Sequence, residues 1–205
     1  MGFSRPSGNG NTTGDYDKLG KSKNKGRLVA VANLGTFQDT YKGELKDPAP
    51  KMALQVEIIG KPVKIGDEMK PRQMWVSPFN FFSKLTPKGN ELKYYSAFDE
   101  MAETNDVPDW EAMLGKAVYV VVKPSDDENA YDNIVALSAM DEEVADNLDV
   151  AESELIIDNV EGNERLEARL FGLAKYQYEQ PHYEADEPNT PEQSAQEPTD
   201  DDEPY

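Results

Sequence analysis

Between Phe79 and Phe98 the chain reads FNFFSKLTPKGNELKYYSAF, with Lys84, Lys88 and Lys93 set among Phe79, Phe81, Phe82, Tyr94, Tyr95 and Phe98. Rings interleaved with cations suit one chemistry above others: stacking on nucleobases while ammonium groups neutralise the adjoining phosphates. Each stack contributes about 1–3 kcal/mol whatever the base, because every base has a π-face. Tyr41, Lys42, Lys51, Lys61, Lys64, Lys70, Arg72 and Trp75 extend the pattern upstream. The candidate nucleic-acid contacts are therefore these eight together with Phe79, Phe81, Lys84, Lys88, Lys93, Tyr94 and Tyr95. Rings also build cores, and about half of those named belong to the interior. In a strand, neighbours such as Phe81/Phe82 or Tyr94/Tyr95 would point one inward and one outward. Trp110, beside Met113 and Leu114, reads as core.

Other chemistries lack their parts. His182 is the single histidine and there is no cysteine, so neither a Ser-His nor a Cys-His nucleophile can be assembled. Neither a Gly-rich phosphate loop ending in Lys-Ser/Thr nor a His-Glu-x-x-His zinc motif occurs. Asp126-Asp127-Glu128-Asn129 has the residue types of a calcium loop without its spacing, central glycine or closing glutamate, and reads as a polar hairpin tip. The expectation is a binding protein, not an enzyme, with no metal and no cofactor. The polar, Gly-rich N-terminus has no signal-peptide core and no apolar run approaches a membrane span. With the cysteine-free composition this predicts a soluble cytoplasmic protein without membrane contact.

Charge is distributed unevenly. The net charge is -19, yet residues 1–98 hold sixteen Lys and Arg against nine acids. From Asp141 onward only Arg165, Arg169 and Lys175 are basic. From Glu179 there is no Lys or Arg at all, and ten acids accompany five prolines up to Asp200-Asp201-Asp202-Glu203-Pro204-Tyr205. Such a stretch buries too little apolar surface to offset its ordering entropy, so residues 179–205 are expected to be a disordered tail. A terminal aromatic behind a block of acids reads as a ligand for a partner; a solubilising role is the plain alternative. Residues 1–26, poor in aliphatic side chains, read as a flexible arm, and Lys18, Lys21, Lys23, Lys25 and Arg27 bring a basic cluster to the fold.

The elements between these ends are mostly strands. Leu28–Phe37 is apolar on both faces, with Gly35 as a bulge. Thr40–Lys46 and Lys51–Ile59 alternate with period two, the latter setting Met52, Leu54, Val56 and Ile58 inward against Lys51, Ala53, Gln55 and Glu57. Asp47-Pro48-Ala49-Pro50 and Gly60-Lys61-Pro62 read as turns, Val63–Arg72 as a basic connector, and Gln73–Phe79 as a strand with Trp75 opposite Met74 and Val76. Pro108–Gly115 reads as a short helix, with Pro108 in its first turn and Gly115 at its end; Lys116–Lys123 and Tyr131–Met140 pair as a hairpin. Asn163–Tyr178 is expected to be one amphipathic helix capped by Asn163, packing on its own fold more readily than on a second copy, so a homo-oligomer is left open. Together these predict an all-β fold, a five-stranded OB-fold Greek-key barrel over residues 27–140 with a short helix before the penultimate strand. An acidic segment and amphipathic helix follow at 141–178.

Two stretches resemble a known family. Asp201-Asp202-Glu203-Pro204-Tyr205 is similar to the acidic tip of bacterial single-stranded DNA-binding proteins, with Glu203 where the family has an apolar residue and Tyr205 where it has Phe. Trp110–Met140, W-x-x-M-L-G-K-x-V-x-V-x-V followed by a polar loop and Y-x-N-I, resembles the second half of the OB-fold in phage-encoded single-stranded DNA-binding proteins. The resemblance covers about half the chain. It implies non-catalytic binding and protection of single-stranded DNA in replication or recombination, in the cytoplasm of an infected bacterium. It further implies a tail, Asp200–Tyr205, that recruits replication and recombination proteins and competes with DNA for the groove. A phage-encoded partner suits the Glu203 and Tyr205 departures. The competing expectation is an acidic interaction protein or DNA mimic that occupies a nucleic-acid-handling protein.

Overall fold

The computed structural model describes residues 18–87, 89–124 and 132–183. Residues 1–17 of the basic-ended arm, Lys88, the Asp126–Asn129 tip and the tail residues Asp200, Asp201, Asp202, Glu203, Pro204 and Tyr205 lie outside the described residues.

The fold is mostly β. Strand β1 (Ser22–Phe37) runs through its centre, flanked by β4 (Ala49–Ile65) and β7 (Ala117–Pro124). Outward from these lie β5 (Glu68–Trp75) and β8 (Asp132–Ser138), giving the antiparallel order β5-β4-β1-β7-β8. The sheet curls until β5 and β8 approach each other, without a ladder to close it. Short β6 (Phe79–Asn80) pairs with β4, and β2 (Thr40–Tyr41) and β3 (Glu44–Leu45) form a separate hairpin. Helices α1 (Asn90–Tyr95) and α2 (Trp110–Met113) lie between β6 and β7. No helix among the described residues is long and apolar enough to cross a membrane.

Leu28, Val29, Ala30, Val31, Ala32 and Leu34 are all buried, so from Leu28 to Leu34 β1 has no polar face to give to water. Two cores follow from that. Inside the curl, Leu28 meets Leu54, Val56, Val118, Val120 and the aromatic layer of α1 and α2. On the outer face, Ala30, Ala32, Leu34, Phe37, Ala53 and Trp75 are covered by Val160, Leu166, Leu170 and Ala174. At Gly26 the strands close in so far that an added Cβ would lie 2.7 Å from Val56 Cγ1 and 2.8 Å from the Glu57 carbonyl oxygen. Only glycine fits there.

The outer layer comes from α3 (Glu142–Asp146), α4 (Glu164–Glu167) and α5 (Gly172–Tyr178), while β9 (Ile156–Asn159) joins the sheet itself as a parallel neighbour of β1. Long-range polar bonds fix it. The Glu57 carboxylate accepts from the backbone N–H groups of Glu152 and Ser153 at 3.0 and 2.8 Å. The Arg169 guanidinium donates to Gln55 Oε1, and the Trp75 indole donates to the Arg169 carbonyl at 3.0 Å. Past α5 the chain returns to β1: Tyr183 N–H donates to the Thr36 carbonyl at 2.8 Å, and the His182 ring sits over Gly35. Gly35 has φ +105° and marks the expected bulge, with a register shift between Asn33 and Gly35.

Several expectations are corrected. Asn163–Tyr178 is two short helices, because Phe171 is extended (φ −151°) and Gly172 takes φ +57° between them. Of residues 179–183, which the sequence reading placed in the tail, Glu179 and Gln180 finish α5 and His182 and Tyr183 lie against β1. β4 is not half-exposed: Lys51, Ala53, Gln55 and Glu57 are buried by the outer layer along with the inward row. Gly60–Pro62 is a bulge within β4, not its end, and Val63–Arg72 is a hairpin, with register shifting between Ile58 and Val63. Ala49 and Pro50 open β4 instead of completing a turn. Thr40–Lys46 is an exposed two-residue ladder around Lys42 and Gly43, both at positive φ, the geometry of a type I′ turn. Against these, the β7–β8 hairpin, a short helix ending before Gly115 (φ +78°) and the burial of Trp110 match the sequence, although α2 starts at Trp110 with Asp109 as its cap, leaving Pro108 outside the helix.

Because one strand serves both cores, they should unfold together. Leu166→Ala, at a fully buried position of the outer core, is expected to cost about 2–5 kcal/mol. In urea it should shift a single transition followed by fluorescence and far-ultraviolet dichroism. Two separated transitions would show the layers to be independent.

Candidate nucleic-acid interface

The β2–β3 hairpin carries Tyr41 outward, 57% exposed, with Lys46 Nζ 4.5 Å and Lys42 Nζ 5.3 Å from the ring centroid. Its base is closed by the Lys46 N–H to Asp39 carbonyl bond at 2.8 Å. Asp39 in turn borders a cleft of about 600 Å³ with Lys51, Phe79, Asn80, Phe82 and Asn90. Phe82 is 44% exposed at this cleft. An exposed ring between two ammonium groups beside a cleft containing a second open ring is an arrangement able to stack bases and hold phosphates.

Of the residues singled out from sequence, Tyr41, Lys42, Lys64, Lys84 and Lys93 are exposed. Lys70 is exposed beside Glu68 at 3.2 Å, a surface pair that ties it only weakly. Lys61 donates to Asn24 Oδ1 at 2.8 Å, and half-buried Arg72 donates through Nε to the Lys61 carbonyl at 3.1 Å. Lys51 is drawn inward. Its ammonium pairs with Asp39 at 2.8 Å and donates to Gln177 Oε1 at 3.1 Å, tying the hairpin base to α5 instead of facing solvent. Lys88 lies outside the described residues.

The rings divide differently from a strand alternation. Tyr94 and Tyr95 are both buried, since they sit in a helix whose inner face takes both. Tyr94 packs on Phe79 at 5.0 Å, and Tyr95 lies edge-on to Trp110 at 5.0 Å. Trp75 lies in the outer core. Core neighbours cover Trp75, Phe79, Tyr94 and Tyr95, more than the half of the named rings expected in the interior, and both members of the Tyr94/Tyr95 pair instead of one. Phe81 is half-buried against the inner core, leaving Phe82 as the open member of its pair. Lys46 and Phe82 are exposed candidates that the sequence pattern undervalued. The signal for Lys46 was its position across the turn from Tyr41.

Beneath the cleft floor, Glu91 is 1% exposed. Its carboxylate accepts from Phe82 N–H at 3.1 Å and from Trp110 Nε1–H at 3.2 Å, so it holds the loop bearing Phe82 to the aromatic layer. Burial pushes its pKa above the usual carboxylate range, the two donated hydrogen bonds only partly opposing it.

No protein-family model, curated protein sequence or solved structure matches this chain.

Glu91→Gln keeps the side-chain shape but provides one acceptor oxygen for two N–H donors, and should cost about 1–3 kcal/mol of stability. The sign of the pH effect follows from the raised native pKa: between the unfolded and native values the native state holds more proton, so stability rises as pH falls. The stability gap between the parent chain and Glu91→Gln should widen on acidification from neutrality through the native pKa. Urea titrations at several pH values measure it, and a gap that narrows would contradict this assignment.

Proposed function

We propose that this chain binds single-stranded DNA without catalysis, through an OB-like barrel, protecting the strand in replication or recombination. The observation that carries the reading is the exposed Tyr41, flanked by Lys42 and Lys46, on a hairpin at the mouth of the Phe82 cleft. The order β5-β4-β1-β7-β8 supports it, being the path of a five-stranded OB barrel opened between its third and fifth strands, and α1 and α2 fall between the third and fourth. The hairpin then occupies the loop between the first and second strands, one of the two that bind oligonucleotides in that fold. The acidic tail starts near the same place, since Tyr183 is bonded to Thr36, three residues before Asp39 of the cleft. That proximity supports a tail that competes with DNA for the cleft and, when displaced, recruits replication and recombination proteins. A phage-encoded origin, the host cytoplasm as its location and use of a phage partner remain part of the same reading.

A fluorescence-quenching or filter titration with oligo(dT) and with duplex tests it. Binding to oligo(dT) should fall steeply with salt through counterion release. Tyr41→Ala and Phe82→Ala should each weaken it by about 1–3 kcal/mol, and removal of residues 184–205 should tighten it. No retention of oligo(dT) at low salt overturns the reading.

One observation favours a second reading, an acidic DNA mimic. All eleven acids between Asp141 and Glu167 are exposed, so the outer layer presents a largely anionic surface, interrupted by Arg165 and Lys175. A chain that ignores oligo(dT) yet displaces a nuclease from duplex DNA would select that reading.

A further inference from the structure

The outer face of the sheet is divided at Arg27. Its guanidinium donates to the carbonyl oxygens of Gly115, Ala145, Leu148 and Asp149 at 2.8, 3.0, 2.7 and 2.8 Å, pinning the start of the outer layer. From there to Phe37 the layer lies over β1 and also over Gln55, Glu57 and Trp75 of β4 and β5. The part of the β4–β5 face around Gln55, Glu57 and Trp75 is thus covered by an anionic layer that repels a polyphosphate, while Lys64 and Lys70 at the far end of the same hairpin stay exposed. In an OB barrel the β4–β5 face is the expected path for an oligonucleotide, so here the strand must avoid its covered part.

N-terminal to Arg27 the same sheet face is open and its charge reverses. Lys25 is paired across the ladder with Tyr119, and Lys23 with Val121. The rows continue into β8 as Ser138 and Ala136, and Lys123 follows two residues on from Val121. These positions carry three lysines and no acid. Lys23, Lys25 and Lys123 are exposed, while Lys61 bonds to Asn24 on the opposite, buried side of β1 and is not part of this row. The nearest described carboxylate on β8, Asp132, is engaged with the N–H groups of Leu19 and Gly20. The Lys23 ammonium rests 3.6 Å from the Tyr119 ring centroid. An ammonium held over a ring is already placed, so less side-chain freedom is lost when a phosphate meets it.

We propose that this strip of Lys23, Lys25, Tyr119 and Lys123 is the phosphate-tracking surface for a single-stranded nucleic acid, with the Tyr41–Phe82 cleft as a separate stacking station. It rests on the nucleic-acid reading above and relocates the backbone path from the β4–β5 face to the β1–β7 ladder. The strip and the cleft differ in kind: one neutralises charge, the other stacks.

That difference makes the test specific. Anisotropy titrations of labelled oligo(dT) over a salt series should compare the parent chain with K23Q/K25Q, K23R/K25R and Y41A/F82A, each checked for its melting temperature. The K23Q/K25Q chain should bind at least about fivefold more weakly at low salt. Its log–log salt slope should be shallower by about 1.4, two phosphates at about 0.7 each on a single strand. K23R/K25R should retain the parent slope, and Y41A/F82A should lose affinity with the slope kept. If K23Q/K25Q retains parent affinity and slope while Y41A/F82A weakens, the strip is overturned and the cleft stands. If the parent chain fails to bind at all, the nucleic-acid reading falls and the strip with it.

Discussion

A strand apolar on both faces has to be covered twice, and nearly everything else in this molecule follows from that requirement at β1. Inside, the curled sheet and the α1–α2 aromatic layer cover Leu28 and Val31. Outside, Ala30, Ala32 and Leu34 leave a shallow surface, because small side chains let a second layer come close. Val160, Leu166 and Leu170 fill it. The two glycines of β1 mark where packing is tightest: Gly26 against β4, and Gly35 beneath the imidazole of His182. The outer layer is consequently part of the fold, not an appendage, although its composition resembles that of a solvated tail.

The strongest local patterns were legible. The apolar run of β1, the valine-rich β7 with its return strand, and the bulge at Gly35 are all dictated by side chains within a few residues of one another. What escaped depends on partners far along the chain. In β4 the alternation of Gln55 and Glu57 with Leu54 and Val56 has the pattern of a wet face. It is dry because Arg169 and the N–H groups of residues 152 and 153, about a hundred positions away, satisfy those polar groups. In the acidic region only Ile156 and Ile157 hinted at β9, too little to distinguish a strand from a loop. Tyr94 and Tyr95 read as a strand pair because a six-residue helix is too short for its period to show.

The site was legible in kind more than in place. Sequence selected Tyr41 and Lys42 through their types alone, and these are exposed together with Lys46, which it did not select. It selected Trp75, Phe79, Tyr94 and Tyr95 by the same criterion, and these serve as core. An aromatic among lysines carries no mark of which way it faces. Conversely, the pairing of Lys25 with Tyr119 joins residues 94 positions apart, so only strand register brings it out. The basic residues before β1, which the composition left as a cluster on an arm, acquire a defined row once Ser22 begins the strand.

The separation of charge has a consequence before any contact is made. Lysines crowd one end of the β1–β7 ladder, while eleven exposed acids lie on the outer layer beyond Arg27. The described fold is therefore an electric dipole as well as a net anion. In the field of a polyanion such a body experiences a torque as well as an overall repulsion. It turns its lysine end toward the strand while still separated from it, so encounters are pre-aligned, and a rise in ionic strength slows productive arrival by removing the alignment as well as the attraction.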